Sequence, residues 1–161
     1  MTAAAQLYEA TAKAIKDRVE GPRPGLGMTC HHMITDLLER AGLINLEEAK
    51  RAKSAGESYQ MAQRFWAMDN DPAQDGGILD ATMKNNKGMI LALCQPGQGP
   101  AHSVVTLGNR MVAGYNNVSS TKGQAGLNLC WFYFTHFVMD NVTYRVVDPQ
   151  TAADRIKAFH P

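Results

Sequence analysis

Gly27-Met28-Thr29-Cys30-His31-His32-Met33-Ile34-Thr35-Asp36-Leu37-Leu38 is the stretch that decides how this chain folds. It follows a strong breaker, Gly21-Pro22-Arg23-Pro24-Gly25, and enters an apolar pattern of helical period. Met33, Ile34, Leu37 and Leu38 form the inward stripe. Thr29 suits an N-cap and Gly42 suits the position after the last turn, so a helix is expected from about 29 to 41. Cys30 then sits at the helix start, half-buried on the edge of the stripe. The positive end of a helix dipole favours thiolate, the form that attacks carbonyl carbon.

Upstream, Leu7, Ala10, Ala14, Ile15 and Val19 predict a helix over 3–19. Downstream, Asn45-Leu46-Glu47-Glu48 has the form of a capping box. It opens a third helix running toward Met68, with Gly56 a candidate break. Residues 69–77 read as polar loop and 78–83 as a short helical turn. From Lys87 the period changes. Met89-Ile90-Leu91-Ala92-Leu93-Cys94 has strand length. Gln95-Pro96-Gly97-Gln98-Gly99-Pro100 reads as loop. Residues 102–107 and 111–115 form a hairpin around Gly108-Asn109. Residues 117–127 read as loop and 129–139 as an aromatic strand. Asp140-Asn141 turns that strand into another over 142–147, and a last helix covers 151–159 after Asp148-Pro149. Helices followed by antiparallel strands give an α+β fold. One domain is expected over 1–161, with a helical half (1–86) and a β half (87–161).

Composition narrows the function classes. The 161 residues are 45% hydrophobic, enough for a core and against disorder. Sixteen basic and fifteen acidic residues leave a formal charge of +1, which gives no reason to expect nucleic acid as a partner. Cys30, Cys94 and Cys130 form no paired motif, so a reducing setting is expected. No run reaches the ~18 apolar residues of a membrane span. No secretory leader is visible, so the expected place is the producer's cytoplasm, with delivery into a target cell as the alternative. Zinc spacings are absent, and neither metal nor cofactor is expected.

A nucleophilic thiol needs a base, an orienter for the base and donors for an oxyanion. His102 opens a strand directly after the proline-glycine loop. The hairpin returns Asn116 or Asn117 toward it: a two-residue turn favours Asn117, a three-residue turn Asn116. Met28-Thr29-Cys30-His31-His32-Met33 resembles the cysteine-bearing helix start of papain-like peptidases. His102-Ser103-Val104-Val105-Thr106-Leu107-Gly108 with Asn116-Asn117 is similar to their histidine strand and asparagine. The resemblance implies a papain-like fold of the small NlpC or bacterial effector type. It implies Cys30 as nucleophile, His102 as general base and acid, and Asn116 or Asn117 as orienter. It departs at the glutamine that usually precedes the cysteine, since 22–26 holds none; Gln95 and Gln98 are the nearest replacements. His31 is a candidate substrate contact. A rival pair, His136 with Asp148, resembles transglutaminase-like enzymes.

The expected function is a cysteine protease, a bacterial effector or toxin acting on a protein or peptide, with a cognate inhibitor or immunity protein as a further partner. A glutamine deamidase, transglutaminase or peptidoglycan amidase is the alternative on the same fold. A catalytically inert binding domain is the alternative of another class.

Overall fold

The computed structural model describes residues 1–75, 83–115, 129–134 and 141–161. Among these, five helices pack with a six-stranded sheet. The helices are α1 (Ala3–Lys16), α2 (Cys30–Arg40), α3 (Leu46–Lys53), α4 (Ser58–Phe65) and α5 (Pro149–Ala158). The strands are β1 (Ala73–Gln74), β2 (Lys87–Gln95), β3 (Gly99–Gly108), β4 (Met111–Tyr115), β5 (Leu129–Tyr133) and β6 (Thr143–Val147). The sheet order is β1-β6-β2-β3-β4-β5, and every pairing is antiparallel. The α+β class follows directly from this architecture.

Alternation along β2 and β3 divides the core. Ile90, Ala92, Cys94 and Val105 join Met33, Ile34, Leu37, Leu38, Phe65 and Trp66 in a cluster with the helices. Leu91, Leu93, Val104, Val112, Phe132 and Tyr144 build a second cluster on the opposite face. The central strands are therefore apolar on both faces, which explains why 89–94 reads as a continuous hydrophobic run.

Helix boundaries follow local chemistry. Thr29 and Asn45 cap α2 and α3 as expected. The expected third helix is two helices. Gly56, at φ +121°, breaks it, and Glu57 starts α4 afresh. The first helix ends at Lys16 rather than 19, with Arg18 in the left-handed region. Asn109 and Arg110 both have positive φ, which makes the β3–β4 turn the two-residue type that suits hairpin twist.

Two expectations are corrected. The loop expected over 69–77 contains β1, which pairs with β6. The expected hairpin between 129–139 and 142–147 does not form between β5 and β6. Strand β5 pairs with β4, whereas β6 lies between β1 and β2. Arg145 is opposite Ala92 on one side and Ala73 on the other. Turn residues specify a local reversal but not which strand receives the chain. That choice belongs to the two faces of β6, where Tyr144 is buried in one cluster and Val147 in the other.

Gly88 fixes the seat of α1. Its φ is +76°, and a Cβ there would stand 1.8 Å from the Ala4 carbonyl oxygen. Gly97 has a similar φ of +73° but open space around it. Gly97→Ala is expected to lose about 1–2 kcal/mol, the left-handed backbone penalty alone. Gly88→Ala should lose at least about 2 kcal/mol more, because α1 must leave β2. Urea titration of the two variants checks this, and equal losses would remove the Ala4 contact as the cause.

Candidate active site

The start of α2 is tied to its surroundings by polar contacts that the hydrophobic pattern does not reveal. Thr29 Oγ1 accepts from the His32 backbone N–H, and His32 Nδ1 accepts from the Thr29 N–H at 3.2 Å. His32 therefore fills the place a glutamate takes in the usual capping box. Its ring lies against Gly27, where φ is +106° and a Cβ would meet the ring at 2.2 Å. One turn on, the buried Asp36 carboxylate accepts from Arg40 Nε at 2.7 Å and lies 3.7 Å from Arg23 Nε. Arg23 also pairs with Glu39. The breaker loop before Cys30 is thus clamped to the helix that Cys30 begins. A fully buried carboxylate is tolerable here because two guanidinium groups face it.

Cys30 is 3% exposed, more deeply buried than its place on the stripe suggests. Backbone N–H groups of Ser103, His31 and Cys30 itself point toward the sulfur and favour its thiolate. Burial outweighs them and pushes the thiol up to about 11. At neutral pH Cys30 is therefore a thiol, contrary to the expectation from the helix dipole alone.

The Ser103 contact brings Cys30 against the peptide that joins His102 to Ser103. His102 pairs with Leu93 and shares its sheet face with Val104. Its Nε2 is directed toward β4, 3.6 Å from the point where a Cβ on Gly114 would stand. Burial lowers the imidazole to about 4, so His102 is neutral at pH 7.

His31, the candidate substrate contact, lines the cleft and is held by buried hydrogen bonds. It is 3% exposed, and its Nδ1 lies 2.7 Å from Ser103 Oγ. The same hydroxyl oxygen accepts from Trp66 Nε1–H at 2.9 Å. The Pro100 carbonyl accepts a ring proton from His31. His31 thus bridges the Ser103 hydroxyl and the Pro100 carbonyl. Burial first, then repulsion from His102 and His32, lowers His31 to about 3. Trp66, Ser103 and Pro100 join α4, β3 and the start of α2 through this one imidazole.

The remaining candidates fall as follows. Asn116, Asn117 and His136 lie outside the described residues. Asp148 is the N-cap of α5, its side chain accepting from the Gln150 N–H. Gln95 and Gln98 line a cleft of about 310 Å³ together with Thr29, Cys30, His31, Tyr59 and Pro100. Among the described residues, no group of three or more His, Cys, Asp or Glu side chains is placed to hold a metal ion. No helix among the described residues is long and apolar enough to cross a membrane. No protein-family model, curated protein or solved structure matches the chain.

Two predictions follow from the histidine network. Ser103→Ala leaves Trp66 Nε1 and His31 Nδ1 facing each other without the bridging hydroxyl, and should destabilise the fold by about 1–3 kcal/mol in urea melts. Ser103→Thr, which keeps the hydroxyl, should lose less. The second concerns pH. A histidine held below its ordinary value binds a proton in the unfolded chain before it does so in the fold. Stability is then full above the ordinary value of 6.5 and is lost as pH falls toward 3–4. His31 and His102 should each add roughly a factor of ten per pH unit to the unfolding constant between about pH 6 and 4.5. His31→Gln should flatten that slope; an unchanged slope would mean that His31 is protonated in the fold.

Proposed function

We propose that this protein is a cysteine hydrolase that cuts an amide bond, with Cys30 as nucleophile and His102 as base. The observation that carries the proposal is the contact between the Cys30 sulfur and the Ser103 N–H, at the mouth of a cleft. That contact places the thiol one residue from His102. The His102 ring itself projects from the sheet face opposite the helices, with Nε2 turned toward β4. Strand β4 ends at Tyr115 and leads into Asn116-Asn117. Asn116 or Asn117 is the proposed orienter of the ring.

The chemistry starts from a neutral pair. For attack, His102 must turn across β3 toward the sulfur; the thiol proton then passes to its ring as the sulfur bonds to the carbonyl carbon, so the charged thiolate never has to exist alone in the buried site. The oxyanion forms beside backbone N–H groups at the start of α2, and Gln98 or Gln95 supplies a side-chain amide from the opposite wall. His102 returns the proton to the leaving nitrogen as the C–N bond breaks. Water then attacks the thioester, gives a proton to His102, and releases the acid and the restored thiol.

A protein or peptide substrate is the preferred reading, as for a delivered bacterial effector with a papain-like domain. A glutamine deamidase, transglutaminase or cell-wall amidase shares the first half-reaction. An inert papain-like binding domain is the reading of another class, and the deep burial of Cys30 favours it. Comparing cleaved and deamidated products in cells making the wild-type protein with those making Cys30→Ala separates these readings. New termini that depend on Cys30 mark a protease. Conversion of glutamine to glutamate marks a deamidase. No Cys30-dependent product in either class would sink the hydrolase.

Kinetics carry a further expectation. His102 must be neutral to accept the proton, so kcat/KM should fall on the acid side near pH 4 and not near 6.5. Without substrate, alkylation of Cys30 at pH 8 should be slower than that of a free thiol and should keep rising toward pH 11. His102→Ala should abolish turnover, while His136→Ala should retain it if both variants fold.

A further inference from the structure

The cleft beside Cys30 does not end at the β2–β3 turn. A second cavity of about 560 Å³ lies beyond it and shares Tyr59, Gln95, Gln98, Gly99 and Pro100 with the first. The two form one groove that passes the turn. The far part is lined by Gln63, Asp69, Cys94 and Arg145. Arg145 is the cation of this surface. Its NH1 donates to the backbone carbonyls of Asp69 and Asp71, at 2.9 and 2.8 Å, which fix its position; the guanidinium also contacts the Cys94 sulfur and acts on the Asp71 carboxylate. The carboxylate of Asp71 is occupied by Arg155, in a two-bond pair at 2.8 and 2.9 Å. Among the described residues, no carboxylate stands within salt-bridge distance of Arg145; Asp69 reaches it through its main chain only.

We propose that the far end of this groove is a subsite for a carboxylate of the substrate, with Arg145 as its partner. The ligand class is an extended peptide bearing Asp, Glu or a free C-terminus on one side of the bond presented to Cys30. A guanidinium pinned by backbone carbonyls, beside a carboxylate already paired with Arg155, is oriented in advance, so little ordering remains when a substrate carboxylate arrives. Side-chain amides of Gln63, Gln95 and Gln98 along the way suit the main-chain N–H and C=O groups of an extended chain. The subsite rests on the peptide-cleaving reading of Cys30, and it singles out that reading from those that act on one side chain.

The test has two arms. In the first, a proteome-derived peptide library is digested by the full chain, and the new termini are sequenced. Asp, Glu or a free C-terminal carboxylate should be enriched at one fixed distance from the cut. For a preferred peptide, replacing that Glu by Gln should lower kcat/KM about tenfold, and less at high salt. Arg145→Gln should bring the Glu and Gln peptides within about twofold of each other, and Arg145→Lys should keep part of the preference. In the second arm, the same peptide pair is titrated by fluorescence anisotropy onto Cys30→Ala, with and without Arg145→Gln. The peptide exchange needs only the wild-type fold, so a poorly folded Arg145 variant does not spoil the test. Cleavage with no acidic enrichment overturns the subsite and leaves the hydrolase standing. Arg145-dependent retention of the acidic peptide without any cleavage supports the subsite and overturns the hydrolase. Neither cleavage nor retention overturns both.

Discussion

One hydroxyl group holds the candidate site together. Ser103 Oγ accepts from Trp66 and is hydrogen-bonded to His31 Nδ1, and the His31 ring donates to the Pro100 carbonyl. Every member is buried, so each unmade bond would carry the desolvation penalty of a polar group in a low-dielectric core. Hydrophobic packing alone would let α2 slide on the sheet by a fraction of a turn at little loss. Directional bonds do not permit that. The register between the first turn of α2 and the start of β3 is therefore set by chemistry, and with it the distance from Cys30 to the residues around His102.

The same burial decides the charge state of the site. A helix dipole is worth about 0.3–1 kcal/mol to an anion at its N-terminus. Raising a thiol from 9.0 to about 11 corresponds to about 3 kcal/mol against the thiolate, so desolvation wins. Asp36, two turns along the same helix, is as buried as Cys30 but faces Arg23 and Arg40. Among the described residues, no cation does the same for the Cys30 thiolate. One helix thus holds a buried anion where arginines surround it and a neutral thiol where only amides do. A base beside the thiol is then a chemical requirement for nucleophilic attack.

The local grammar of the fold was legible in sequence, while its long-range partners were not. Thr29 and Asn45 announced their caps, Gly56 its break, and the Asn109 region its turn, because each depends on residues within a few positions. Cys30 was legible as a helix-start thiol, but its depth was not, since depth depends on Ser103 and Pro100 some seventy positions away. The placement of β6 beside β2 was hidden because alternation shows which face a strand buries and not which neighbour it takes. Asp148 could have been read as a cap rather than a catalytic carboxylate, because Asp-Pro is an ordinary helix opening. Ser103, Trp66 and Arg145 carried no sequence signal of their own. A serine in a strand, a buried indole and a strand arginine gain meaning only from what the fold sets against them.

The β2–β3 turn shows how the two scales meet. Gln95 to Pro100 has the composition of a mobile loop, with two prolines and two glycines. The ladder nevertheless continues through Cys94↔Pro100 and Gln95↔Gly99, and Gln98 N–H closes the turn on the Gln95 carbonyl at 3.1 Å. Gly97 and Gly99 take the positive φ that so tight a reversal demands. The register shift between Leu93 and Cys94 leaves one extra residue on β3, at Ala101. That extra residue separates Pro100, which serves His31, from His102, which faces the other cluster. A flat ladder would make the positions facing the helices alternate without interruption from Pro100 to Ser103. With the bulge, Pro100 and Ser103 both serve His31 although they are an odd number of residues apart. The irregularity allows one short strand segment to hold the helix that Cys30 begins, turn an imidazole to the opposite face and wall the groove at the same time.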